Sequence, residues 1–151
     1  MEKLQFKTQI KSSANHAYNV MLAKGTYKQW TAEFNPSSDF EGSWEKGATI
    51  QFIGVNKEGK KEGMVSKIKE NEPGRFLSIQ HIGILDDGKP VTEGPQVEAW
   101  AGALENYSFS EQNGLTTVTV DIDTNEEFIG YFKETWPKAL NKLKELCESE
   151  N

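Results

Sequence analysis

One cysteine, Cys147, and two histidines, His16 and His81, are the only thiol and imidazole groups in this chain of 151 residues. A lone thiol makes no intrachain disulfide and no thiolate cluster. Two histidines far apart in sequence supply no zinc-ligand spacing, so neither a metal nor a cofactor is expected. No apolar run approaches the roughly 18 residues that cross a bilayer, so no membrane span is expected. The N-terminus, Met1-Glu2-Lys3-Leu4-Gln5-Phe6, alternates from the start and lacks the apolar centre of a signal peptide. A cytoplasmic setting follows as the expectation, and the Asn106-Tyr107-Ser108 match to a glycosylation acceptor then has no meaning. Positive charge is also short. Seventeen Lys and Arg against 23 Asp and Glu leave a net charge of −6, a field that repels phosphate backbones and argues against nucleic acid as a partner. The one basic run, residues 57–61, is broken by Glu58 and reads as a turn. Gly-x-Gly-x-x-Gly, P-loop and Gly-x-Ser-x-Gly patterns are all missing, which removes the usual nucleotide sites and the nucleophile elbow.

What the chain does carry is period. Leu4, Phe6, Thr8 and Ile10 alternate with Lys3, Gln5, Lys7 and Gln9 as in a half-buried strand. Ser12-Ser13 offers an N-cap for a short helix through Leu22, with Ala14, Ala17, Tyr18 and Met21 inward and Lys24-Gly25 as its stop. Tyr27 and Trp30 suggest a second short helix. Strands are then expected over residues 40–44, 49–55, 62–70, 75–85, 104–111 and 116–123. Pro73-Gly74 and Asn113-Gly114 mark turns between them. Seven strands joined mostly by short turns predict an antiparallel sheet. Residues 86–103 are the exception, a long segment broken by Gly88, Pro90, Gly94 and Pro95 that holds Trp100.

Residues 124–151 read as one amphipathic helix. Phe128, Phe132, Trp136, Ala139, Leu143, Leu146 and Cys147 fall on one stripe at about 100° per residue. Thr124-Asn125-Glu126-Glu127 fits a capping box. Pro137 either kinks the helix or splits it in two. The chain is long enough for one domain, residues 1–151, of α+β class.

The order of strand, two short helices, six strands and long helix is that of the helix grip. The chain resembles the START-like superfamily, which includes the major birch pollen allergen, lipid-transfer domains and polyketide cyclases. Within it the chain is most similar to the family named for the heat-shock protein ATPase activator homologue. Trp30-Thr31 leading to Asp39-Phe40-Glu41-Gly42-Ser43-Trp44 resembles that family's D-x-x-G-G-x-W pattern, with Ser43 in place of its second glycine. Gly63-Met64-Val65 through Glu72-Pro73-Gly74-Arg75-Phe76 resembles its G-x-V strand and proline turn. Gly114-Leu115-Thr116-Thr117-Val118 and residues 136–143 resemble its last hairpin and helix, where Pro137 departs from the usual helix former. The resemblance implies a curved seven-stranded sheet gripped by the C-terminal helix, and small-molecule binding as a class of function.

A small hydrophobic or amphipathic partner is therefore expected between sheet and helix. Trp136, Phe132 and Leu140 would supply the helix wall. Phe52 and Met64 would form the floor, with Ser66, Tyr107 and His81 as polar handles. Trp30 and Trp100 would border the entrance. Pattern alone does not decide which face His81 takes, because both parities of residues 76–82 are half apolar, nor whether the cavity is open or filled. Two other functions stay open. A cyclase- or dehydratase-type enzyme would use His81, Tyr107 or Glu98 as acid or base, and a buried His81 touching Tyr107 would mark it. A chaperone-interaction module would show an exposed apolar patch away from the cavity. Nothing in the sequence bears on oligomeric state.

Overall fold

The computed structural model describes residues 1–149. Strand β1 (Glu2–Ile10) leads into α1 (Ala14–Leu22) and α2 (Lys24–Thr31), followed by β2 (Asp39–Gly42), β3 (Thr49–Val55), β4 (Lys61–Glu72) and β5 (Phe76–Asp86). A three-residue β6 (Lys89–Val91) and a single helical turn α3 (Pro95–Glu98) precede β7 (Leu104–Gln112) and β8 (Leu115–Thr124). A 3-10 turn (Glu126–Phe128) then opens α4 (Ile129–Ser149). The strands form one antiparallel sheet in the order β1-β8-β7-β5-β4-β3-β2, with β6 paired to β5 beside that path.

The eighth strand corrects the expectation of seven. β7 pairs with β5 only as far as Gln80↔Leu104, which leaves the far end of β5 without a neighbour on the edge away from β4. Asp87 and Gly88, at φ 50° and 83°, make a two-residue turn that folds Lys89–Val91 back onto that end. The Asp-Gly pair was the hairpin signal, masked by Pro90 in the returning strand.

The helices also depart from their expected ends. α1 closes at Leu22, Ala23 turns the chain in an extended conformation, and Gly25 lies in the first turn of α2 rather than stopping α1. Side chains satisfy the carbonyls left over at the end of α1. Trp30 Nε1–H donates to Met21 O at 2.9 Å, Trp44 Nε1–H to Leu22 O at 3.2 Å, and the Thr26 hydroxyl to Val20 O. The capping box does not form. Thr124 is still paired with Glu2 in β8, and Asn125 stands at the N-cap without a side-chain bond. Phe128 therefore falls in the 3-10 turn, 46% exposed and off the helical stripe. Pro137 does not split α4. It sits on the exposed side of an unbroken helix together with Lys133, so water can reach the carbonyl that loses its partner.

Trp136, Ala139, Leu140, Leu143 and Cys147 of α4 are buried in one cluster with Val118, Val120 and Ile122 of β8 and Met21 of α1. α4 packs on β1, α1 and α2, which places it across one half of the sheet. His16 Nε2–H donates to the Cys147 carbonyl at 2.9 Å, tying α1 to the last turns of α4. The other half of the sheet, from β7 to β3, is left to face a cavity.

Two bulges set what faces it. Lys69 is the extra residue of β4 between the pairs Ile68↔Ile79 and Glu70↔Ser78. Ile82 is the extra residue of β5 between Ser66↔His81 and Val65↔Gly83. The second bulge switches parity, so that His81 and Ile84 both reach the cavity face.

Lys3 Nζ donates to Asp123 Oδ1 at 2.7 Å, and the Leu104 amide to Asp123 Oδ2 at 2.9 Å. Burial pushes the Asp123 pKa up, but these bonds outweigh it and hold the carboxyl below its usual range. A carboxyl whose pKa is lower in the folded chain stabilises it above the unfolded value and loses that contribution as pH falls through the folded one. The fold should therefore weaken below about pH 4. The share from this pair should be small, because Lys3 is largely in water. Asp123→Asn should flatten the acid limb of a pH series of melts, and an unchanged limb would remove Asp123 from it.

Candidate functional site: a cavity between sheet and helix

A cavity of about 540 Å³ lies between the inner face of the sheet and the helices α2 and α4. Ten of the side chains lining it are aromatic. Trp30, Tyr107 and Trp136 are almost wholly buried in its wall, at 1%, 2% and 3% exposure. Phe34 meets Trp136 edge-on at 5.0 Å between ring centres, and Tyr27 meets Trp30 edge-on at 5.5 Å. Phe128 and Tyr131, each almost half exposed, also line the cavity and place an aromatic rim where α4 begins.

One line of polar groups interrupts this apolar wall. Ser66 Oγ and His81 Nδ1 are 2.6 Å apart, and His81 Nε2 lies 3.1 Å from Glu105 Oε1. The Tyr107 hydroxyl donates to Glu105 Oε2. The backbone supplies the alignment, since Ser66 and His81 are direct partners across β4 and β5. Glu105 and Tyr107 are two residues apart on β7 and so share a face. In the neutral ring Ser66 O–H donates to Nδ1 and Nε2–H donates to Glu105, which fixes one tautomer. Burial pushes the Tyr107 phenol far above its ordinary pKa, and the Glu105 charge adds to this. Tyr27 is raised by the same two causes in the same order. Both phenols therefore remain hydrogen-bond donors at neutral pH.

Eight of the ten side chains expected at the site line the cavity: Trp30, Phe52, Met64, His81, Trp100, Tyr107, Phe132 and Trp136. Ser66 is fully buried behind His81 and meets the cavity only through that ring. Leu140 lies in the core, 2% exposed, away from the cavity wall. His81 is 8% exposed and joins Tyr107 through Glu105 rather than directly. Glu98 is exposed on α3 and stands off the wall. Trp100 donates from Nε1 to Gln96 O at 2.7 Å, bracing its own loop while bordering the cavity.

Sequence reasoning missed Glu105, Asp123 and Tyr27 as lining residues. Glu105 was findable, because it shares the inward parity of Tyr107 and Phe109. Carboxylates at strand ends usually face water, and that general tendency hid it. Among the described residues no Lys or Arg lines the cavity, whereas Glu62, Glu105 and Asp123 do. No group of three or more His, Cys, Asp or Glu side chains among them is arranged to hold a metal ion. Among the described residues no helix is long and apolar enough to cross a membrane.

No family model matches the sequence, and no curated protein does. Solved structures do. The chain superimposes on the Aha1 dimer subunit from Colwellia psychrerythraea with a TM-score of 0.71 at 20% identity, covering 98% of this chain and 97% of that one. The fold is the helix grip. CalU16 from Micromonospora echinospora gives a TM-score of 0.65 at 15% identity, over 94% of this chain and 71% of that one. DynU16, a protein of the dynemicin biosynthetic locus, gives 0.68 at 12% identity over 100% of this chain, which spans about half of that one (49%). The START-like likeness expected from the motifs is borne out, and at such low identities it concerns the fold.

Proposed function

We propose that this START-like domain, acting as one unit in the cytoplasm, binds a small molecule with an apolar body and a polar head. The cavity carries this reading. Its volume suits a small ligand, ten aromatic side chains line it, and His81, Glu105 and Tyr107 form one connected group of polar side chains in its wall. Trp136, in that wall, keeps its indole N–H without an acceptor among the described residues, and a buried donor left so costs about 1–3 kcal/mol.

Burying ~300 Å² of apolar ligand surface at about 25 cal/mol per Å² supplies roughly 8 kcal/mol before association entropy is subtracted. Micromolar is therefore the tightest affinity expected from apolar burial alone. A panel of lipids, sterols and aromatic polyketides should raise the melting temperature and change the fluorescence of Trp30, Trp100 or Trp136. A panel that does neither would sink the binding reading. The exposed large apolar side chains give the chaperone-interaction alternative little support. Of Met1, Val55, Phe128 and Tyr131, only Val55 lies off the cavity lining.

The line from Ser66 to Glu105 favours a second reading, an acid–base reaction of the cyclase or dehydratase type. His81, held at both ring nitrogens, would move the proton, and the Tyr107 hydroxyl would turn from Glu105 to donate its one hydrogen bond to a developing oxyanion. His81→Ala that keeps ligand affinity but abolishes turnover of a bound compound would support it. Equal turnover in both proteins would remove it.

A further inference from the structure

We propose that the head group taken by this cavity is a cation, an amine or quaternary ammonium on an apolar body. The inference rests on the binding reading and concerns the sign of the charge at its polar point. Three carboxylates line the wall, and among the described residues no Lys or Arg does. Asp123 is already committed to Lys3 at 2.7 Å, and Glu62 is exposed in solvent. Glu105 is different. Its side chain is only 24% exposed, its two partners, the Tyr107 hydroxyl and the His81 ring, hold the carboxylate in place, and no Lys or Arg among the described residues pairs with it.

An anionic head placed there would meet Glu105 with no Lys or Arg of the wall to offset it, and the Met1 ammonium, also at the wall, acts on Asp123. A cation would gain that charge in a site of reduced dielectric, where each interaction counts for more than in water. It would also gain aromatic faces, since Tyr27, Trp30, Phe52 and Trp136 line the same cavity and attract cations through their rings. Burial keeps both neighbouring phenols neutral, so neither Tyr27 nor Tyr107 adds a competing anion. The molecule already uses this combination once, outside the cavity. Lys24 Nζ sits 4.5 Å over the Phe40 ring while pairing with Asp39 at 2.9 Å.

Decyltrimethylammonium, decanol and decanoate share a chain and differ in head charge. Below their micelle concentrations, near pH 8, each is titrated against the tryptophan fluorescence and checked by calorimetry. The ammonium should bind at least ~10-fold tighter than decanol, and decanoate at least ~10-fold weaker. Glu105→Gln keeps the shape and the acceptor, and should bring the three compounds within ~3-fold of one another with decanol unchanged. Glu134→Gln, at an exposed position of α4 away from the wall, should change the ratio less than ~2-fold. Decanoate binding as well as the ammonium overturns the cation assignment while leaving the binding reading intact. Failure of all three compounds, decanol included, overturns both. The wild-type series alone decides between these outcomes, whatever the stability of the variant.

Discussion

Trp136→Ala is expected to lower the free energy of unfolding by about 3–5 kcal/mol in a denaturant melt, the range of aromatic truncations in packed cores. Trp136 is 3% exposed, and its ring meets Phe6, Trp30, Phe34 and Tyr107 at centre distances between 5.0 and 6.2 Å. It joins three elements: β1 through Phe6, α2 through Trp30, and β7 through Tyr107. Truncation therefore removes contacts on three sides at once, and none of those elements can collapse into the gap without moving the others. Trp136→Phe should cost much less. It keeps most of the ring area and deletes an indole N–H that has no acceptor among the described residues. Alanine and phenylalanine falling together, both below ~1 kcal/mol, would show that the position is not structural.

The same residue shows how much of the site was legible in the sequence. The stripe from Phe132 to Cys147 has a helical period that nothing else in the chain imitates, so α4 and its buried side follow from pattern alone. The Asn113-Gly114 turn is equally plain, because both residues take positive φ, 55° and 78°, as a two-residue hairpin requires. The polar line is harder. His81 faces the cavity beside Ile84 because Ile82 is bulged, and a bulge is a tertiary accommodation between strands that leaves no mark on one strand read alone. Glu105 lay on an inward parity that the pattern did contain, yet a carboxylate in an apolar wall violates the rule by which parity is read. Such a local violation is where function is expected to sit. The capping box at Thr124 failed for a third reason. Two motifs competed for one residue, and the pairing of Thr124 with Glu2 at the end of β8 won.

Gly63→Ala should be the most damaging small substitution, with an expected loss of about 3 kcal/mol or more and weakened ligand binding alongside. Gly63 takes φ +146°, and a Cβ built there would stand 1.8 Å from the carbonyl oxygen of Phe52 and 2.9 Å from its carbonyl carbon. Both contacts are backbone, so no side chain can rotate away, and β3 must shift against β4 where Ile53 pairs with Gly63. Phe52 and Met64, partners in the same ladder, both line the cavity, so the shift reaches the binding wall directly. Gly59, in the turn just before β4, is the matched control. It has φ +79° but open space where its Cβ would go, so Gly59→Ala should cost only about 1 kcal/mol, from backbone strain alone. Paired denaturant melts and ligand titrations on the two variants separate close approach from strain. Equal losses would mean that β3 and β4 yield easily, and the wall at Phe52 would then be softer than its ladder implies.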